Sequence, residues 1–198
     1  DWTIAPFTYV KETGEKTMQT TNYWIRYCGK FRREYELTTP KSSTYTRITF
    51  PILRYSDVLL MNAEGVAADP ANASDEELTL AYEYLNQVRR RGYGKDIHTP
   101  DDAVDFEKES KLALMEIIKD ERARELGHEL LRKDDIVRWG EFLTRMQSIA
   151  SSVPTSYTSS YYVAARTAYN NAKSRDVLWP IPSYEIGVNR NLVQNKGW

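Results

Sequence analysis

The apolar and polar positions of the chain alternate mostly with helical spacing, and the stretch from Phe50 to Ala67 organises the rest. Pro51 pre-sets φ for entry into a helix. Apolar residues follow at Ile52, Leu53, Leu59, Leu60, Ala63, Val66 and Ala67, the recurrence of a helix with a wide buried face. Arg54, Asp57, Asn62 and Glu64 interrupt that face, and polar groups in so apolar a helix need partners on neighbouring elements. Asp69-Pro70 stops this helix. Ser74 and Glu77 make a capping-box pattern before Leu78, Ala81, Tyr82, Leu85 and Val88, which predicts a second helix ending at Arg90 to Gly92. A third helical region opens at Asp101-Asp102, becomes densely apolar from Leu112 to Ile118 and continues through the charged run Lys119 to Leu126. Short helices are expected from Asp134 to Trp139, stopped by Gly140, and around Phe142, Met146 and Ile149.

Outside this helical body the pattern changes. Residues 1–50 are rich in Thr and Tyr, with β-type patches at Tyr23–Tyr27 and Tyr45–Phe50, and read as an irregular, partly extended arm. Residues 151–175 read as a Ser/Thr/Tyr-rich surface loop with a short helix near Val163–Tyr169. Val177 to Pro182 read as an extended apolar tail. The expected class is therefore mainly all-α, with minor β in the arm. The two successive pairs, 52–91 and 107–139, share a helix–loop–helix plan like tetratricopeptide stacking.

Composition narrows the function classes. A chain of 198 residues with net charge −1 has no electrostatic footprint for nucleic acid. No run approaches the roughly 18 apolar residues of a membrane span. The opening Asp-Trp-Thr-Ile-Ala-Pro does not read as a signal peptide. A single cysteine, Cys28, leaves no internal disulfide to form and lacks the apolar lead-in of a lipid-attachment site. The conspicuous feature is 14 Tyr and 5 Trp against 5 Phe. Tyr and Trp join an apolar ring to a polar handle, which suits wet binding surfaces.

Binding chemistry is therefore sought among aromatics. Trp2, Tyr9, Tyr23, Trp24 and Tyr27 lie in the arm, and Tyr157, Tyr161 and Tyr162 in the polar loop; Tyr161–Tyr162 and Tyr23–Trp24 are the leading pairs. For each, a ring packed on the body is the commoner role of a large aromatic. Catalytic chemistry has less support. Glu121 and Glu125 lie one turn apart, as paired carboxylates of a glycosidase could, but Arg122 and Arg124 sit among them and favour a salt-linked helix face. His98 and His128 have no metal-ligand spacing, and residues 69–76 lack a calcium-loop pattern, so no metal or other cofactor is expected. A helical-repeat scaffold for protein or peptide, and an accessory domain of a glycoside hydrolase, stay open.

Four blocks, in order, resemble the C-terminal part of the SusD/RagB family of outer-membrane nutrient-binding lipoproteins. They are Pro51-Ile52-Leu53-Arg54-Tyr55-Ser56-Asp57 through Glu64, Tyr84 through Gly92, Asp120-Glu121-Arg122-Ala123-Arg124-Glu125-Leu126 through Trp139-Gly140, and Pro180-Ile181-Pro182 through Gly197-Trp198. The resemblance implies a right-handed superhelical body of tetratricopeptide-like helix pairs over residues 51–198, as a fragment of a longer lipoprotein of Bacteroidota. It implies a cell-surface protein of the outer membrane, held only by an N-terminal lipid that is not in this chain. It also implies no catalysis, a glycan ligand (oligosaccharide or polysaccharide) and a SusC-like TonB-dependent transporter as partner. It further implies that Arg54, Asp57, Glu64, Arg89, Glu121, Arg124, Glu125, Arg132, Asp135 and Arg138 form charge pairs among helices as a buried structural network. Gly65 stands where the family often has alanine.

Overall fold

The structure, a computed structural model, describes residues 3–4, 7–9, 16–18, 27–69, 71–108 and 111–198. Its residues divide into two compact units, 1–131 and 132–198. Among the described residues the molecule is mainly helical, with a small β component near the start. No helix among these residues is long and apolar enough to cross a membrane.

In the first unit, β1 (Thr3–Ile4) pairs antiparallel with β4 (Tyr27–Cys28), and β2 (Phe7–Tyr9) with β3 (Lys16–Met18), Phe7 opposite Met18. The expected strand at Tyr45–Phe50 does not form. There the Ile48 amide donates to Thr46 Oγ1 at 3.2 Å, so a local side chain takes a donor that a strand would give to a ladder. Of the other expected β patch, Tyr23–Tyr27, all but Tyr27 lies outside the described residues.

Three helices build the core: α1 (Tyr55–Ala68), α2 (Asp75–Gly92) and α3 (Lys111–Glu125). Leu59, Leu60, Ala63 and Ala67 of α1 meet Leu78, Ala81, Tyr82, Leu85 and Val88 of α2 and Leu114 and Ile118 of α3. Leu60, Leu85, Leu114 and Ile118 are fully buried, each worth about 1.5–3 kcal/mol of transfer free energy. The Ser74–Glu77 capping box closes the start of α2, Ser74 Oγ accepting from the Glu77 amide at 3.1 Å and Glu77 Oε2 from the Ser74 amide at 2.7 Å.

In the first unit, two helix starts differ from the sequence reading. The first helix begins at Tyr55, because Arg54 is extended (φ −124°, ψ 156°) and serves as its N-terminal boundary. Ile52 and Leu53 are consequently outside the buried face, at 91% and 60% exposure, and Asn62 also faces solvent. The third begins at Lys111 rather than near Asp101, whose Oδ1 accepts from the Ala103 amide at 3.0 Å in a side-chain-closed turn. After Glu125 the chain leaves α3 through a turn with His128 and Leu130 at positive φ.

The second unit holds α4 (Arg132–Arg138), α5 (Phe142–Ser152), α6 (Ser160–Asn170) and α7 (Ser183–Val188). Gly140, at φ 73°, turns α4 into α5. Ile136, Phe142, Ala150 and Val153 are buried. Among the described residues the extended tail has no strand partner; the last residues take that role with side chains. The Gln194 amide group accepts from Ile181 N at 2.8 Å and donates to Ile181 O at 2.9 Å. Asn195 Nδ2 donates to Trp179 O at 2.6 Å, and Trp198 Nε1 to Leu178 O at 3.1 Å.

Candidate functional site

The binding candidates that the structure describes lie where a turn meets α6. The sequence reading put Tyr161 and Tyr162 in a polar loop; instead they occupy the first turn of α6, which begins at Ser160. Ser, Thr and Tyr are indifferent helix formers, so composition hid this helix. Its less exposed positions, Tyr162, Ala165, Arg166 and Tyr169, repeat with helical spacing. Tyr157, in the preceding turn, sets its ring against that of Tyr162, centroids 4.7 Å apart and planes tilted by 39°. Tyr161 projects into solvent at 80% exposure. Arg166, one helical turn beyond Tyr162, donates from Nη1 to Pro154 O at 2.7 Å and Tyr157 O at 3.1 Å. Between Arg145 and Lys173 it is the only charged residue in the sequence, and the chain that carries the rings is rich in hydroxyls. Such a surface can stack on apolar C–H faces and exchange hydrogen bonds with hydroxyls. Tyr23 and Trp24 lie outside the described residues, and the structure describes no side chain for Trp2, Tyr9 or Tyr27.

The charged residues of the first unit gather into separate clusters. In one, Arg54 donates to Glu129 from Nε at 2.8 Å and from Nη2 at 2.9 Å, to Ser56 Oγ at 2.7 Å, and lies 2.8 Å from Glu125 Oε1. Ser56 donates to Glu125 at 3.0 Å, and Arg91 and Lys30 close the group onto Glu125 and Glu129 respectively. The carboxylates of Glu125 and Glu129 are almost wholly buried, at 3% and 5%. Burial pushes the Glu129 carboxyl up, but Arg54 and Lys30 outweigh it and hold the group below the usual carboxylate range. Burial likewise disfavours the Arg54 cation, and Glu129 and Glu125 more than offset it.

In a second cluster Arg122 bonds Asp57 at 2.8 Å and approaches Glu64 at 3.9 Å. In a third, Glu121 accepts from Arg89 at 3.4 Å and Arg124 at 3.0 Å, and Arg89 lies 4.2 Å from the Phe106 ring centre. The fourth was not foreseen from sequence. Arg90, only 1% exposed, uses all five guanidinium donors: Asp105 and Glu83 each take two, and Ile97 O the fifth at 2.9 Å. Lys30, Ser56, Arg91, Arg122 and Glu129 also join these clusters, although sequence reasoning did not single them out for the network. Helical spacing on α2 reveals that Arg89, Arg90 and Arg91 point in different directions, but not which acids meet them. In the second unit, Arg138 pairs with Asp135 three residues earlier at 2.8 Å. Arg132 and Arg138 lie 5.4 and 4.9 Å from the Trp139 ring centre.

The sequence model of the SusD family matches residues 7–198. The chain belongs to the SusD family. A SusD-like protein, P25, from Formosa agariphila is 30% identical over 146 residues, covering 73% of this chain and 23% of the relative. A crystal structure of a SusD homolog from Bacteroides thetaiotaomicron matches the whole chain and 40% of its own, with TM-score 0.72 at 23% identity, so the two share a fold. This SusD-family chain thus spans less than half the length of either relative. The four blocks that carry the family resemblance hold many of the side chains that tie elements together. The first and third meet in the Arg54 and Arg122 clusters, the second supplies Arg89, Arg90 and Arg91, and the fourth clamps the tail. Asn86, in the second block, also fixes the loop after α2: its amide accepts from Phe106 N at 2.8 Å and donates to Phe106 O at 3.1 Å.

Proposed function

We propose that this chain is the C-terminal part of a longer, non-catalytic glycan-binding lipoprotein of the bacterial cell surface. Residues 51–198 form its helical domain and residues 1–50 an arm. The whole protein sits in the outer membrane by an N-terminal lipid and hands oligosaccharide to a SusC-like TonB-dependent transporter. The family match over residues 7–198 carries this reading. The Tyr157–Tyr162 pair with exposed Tyr161 supports a saccharide ligand, because tyrosine offers flat area at little entropic cost. The non-catalytic reading draws on the acids: Glu121 Oε2 and Glu125 Oε1 each face arginines, which ties both carboxylates into ion pairs rather than leaving them open to a glycosidic bond.

Affinity electrophoresis of the full chain through a panel of polysaccharides tests this. Retardation by at least one glycan without release of reducing sugar is expected, and Tyr161→Ala should weaken it about 5-fold, the loss of one stacking ring. Reducing sugar accumulating with time would overturn the non-catalytic reading. The transporter handover predicts co-purification of the full-length lipoprotein with a TonB-dependent transporter from native membranes.

A further inference from the structure

The turn that carries half of the tyrosine pair is held by the guanidinium of Arg166. The turn that carries Tyr157 folds back onto the face of α6 that carries Tyr162 and Arg166, residues four apart and therefore neighbours on that face. Among the described residues, two kinds of contact fasten the turn to the helix. One is the ring contact between Tyr157 and Tyr162 at 4.7 Å; the other is Arg166, whose Nη1 donates to the carbonyls of Pro154 and Tyr157. The backbone of this turn makes one hydrogen bond of its own, from the Tyr157 amide to Pro154 O at 3.2 Å. Arg166 therefore binds both ends of the turn and the very residue whose ring forms the pair.

We propose that Arg166 is the positioning residue of the tyrosine platform: it fixes the Tyr157 backbone against α6 so that the pair is pre-formed before a saccharide arrives. This rests on the reading of the platform as a glycan-binding surface. Arg166 itself does not contact the ligand. Its charge is spent on two carbonyls, and its effect is to remove motion that binding would otherwise have to freeze.

The test uses the full chain with 3-fluorotyrosine placed site-specifically at Tyr157, read by 19F NMR, beside affinity electrophoresis on the glycan that retards the parent best. Arg166→Met keeps the aliphatic stem and loses both hydrogen bonds. It should narrow and shift the fluorine resonance and weaken retardation about 3- to 10-fold. Arg166→Lys, which still reaches a carbonyl, should restore a good part of both, a rescue that mere loss of packing does not produce; it also serves if Arg166→Met fails to fold. An unchanged fluorine resonance in Arg166→Met overturns the positioning role. A changed resonance with unchanged retardation overturns its link to binding. A parent chain that no glycan retards overturns the binding reading instead, while the fluorine signal still decides whether Arg166 orders the turn.

Discussion

Arg54 shows how one residue can decide a helix boundary. Its extended backbone delays the start of α1 to Tyr55, which leaves Ile52 and Leu53 outside the buried face, and its guanidinium reaches two buried carboxylates at the end of α3 and just beyond it. Replacing it with alanine strands Glu125 and Glu129 with fewer cations in a poorly solvated place. Arg54→Ala should therefore cost about 3 kcal/mol, the low end for breaking a buried pair, as measured by urea unfolding. The same substitution should change the acid limb. Glu129 is held below its unfolded value, so its contribution is complete above about pH 4.5 and is lost as pH falls through the folded value. Without Arg54 that dependence should flatten, and an acid limb as steep as the parent's would count against the pairing. The need for partners at Arg54, Asp57 and Glu64 was legible from their places in or beside an apolar helix. That Arg54 meets Glu129, 75 residues away, was not, because no local pattern encodes a tertiary pairing.

At the scale of elements, legibility followed local physics. The second helix could be read to its ends because a capping box opens it and three arginines favour its negative terminus, both effects of the sequence immediately around them. α6 was only half readable, since its start lies in residues that compete with helix formation through their own side chains. The starts of α1 and α3 were misplaced for the opposite reason: favourable local signals at Pro51 and Asp101 were overridden by an arginine drawn elsewhere and by a closed turn. α1 also carries a correctable weakness. Gly65 lies inside the helix without positive φ, and a Cβ there would meet nothing within 4 Å. Gly65→Ala should stabilise the chain by about 0.5–1 kcal/mol through reduced freedom of the unfolded backbone. No gain in the urea midpoint would mean that a neighbour uses the bare backbone.

For the molecule as a whole, the all-α class was readable because helical periodicity dominates the sequence. Of the candidate tyrosines the sequence offered only a list of rings; the contact between Tyr157 and Tyr162 needed the turn, the helix and Arg166 together. The charged clusters also differ in how far along the chain they reach. Every partner of Arg90 lies within 15 residues of it, whereas Arg54 joins groups 71 and 75 residues apart. Contacts over short loops close with little entropic penalty and can assemble before distant ones. The order of assembly should therefore be written into these two arginines. In stopped-flow experiments on the full chain, Arg90→Met should chiefly slow refolding, while Arg54→Ala should chiefly hasten unfolding. If Arg90→Met moved the unfolding limb alone, the knot around Arg90 would be a late fastening rather than a seed.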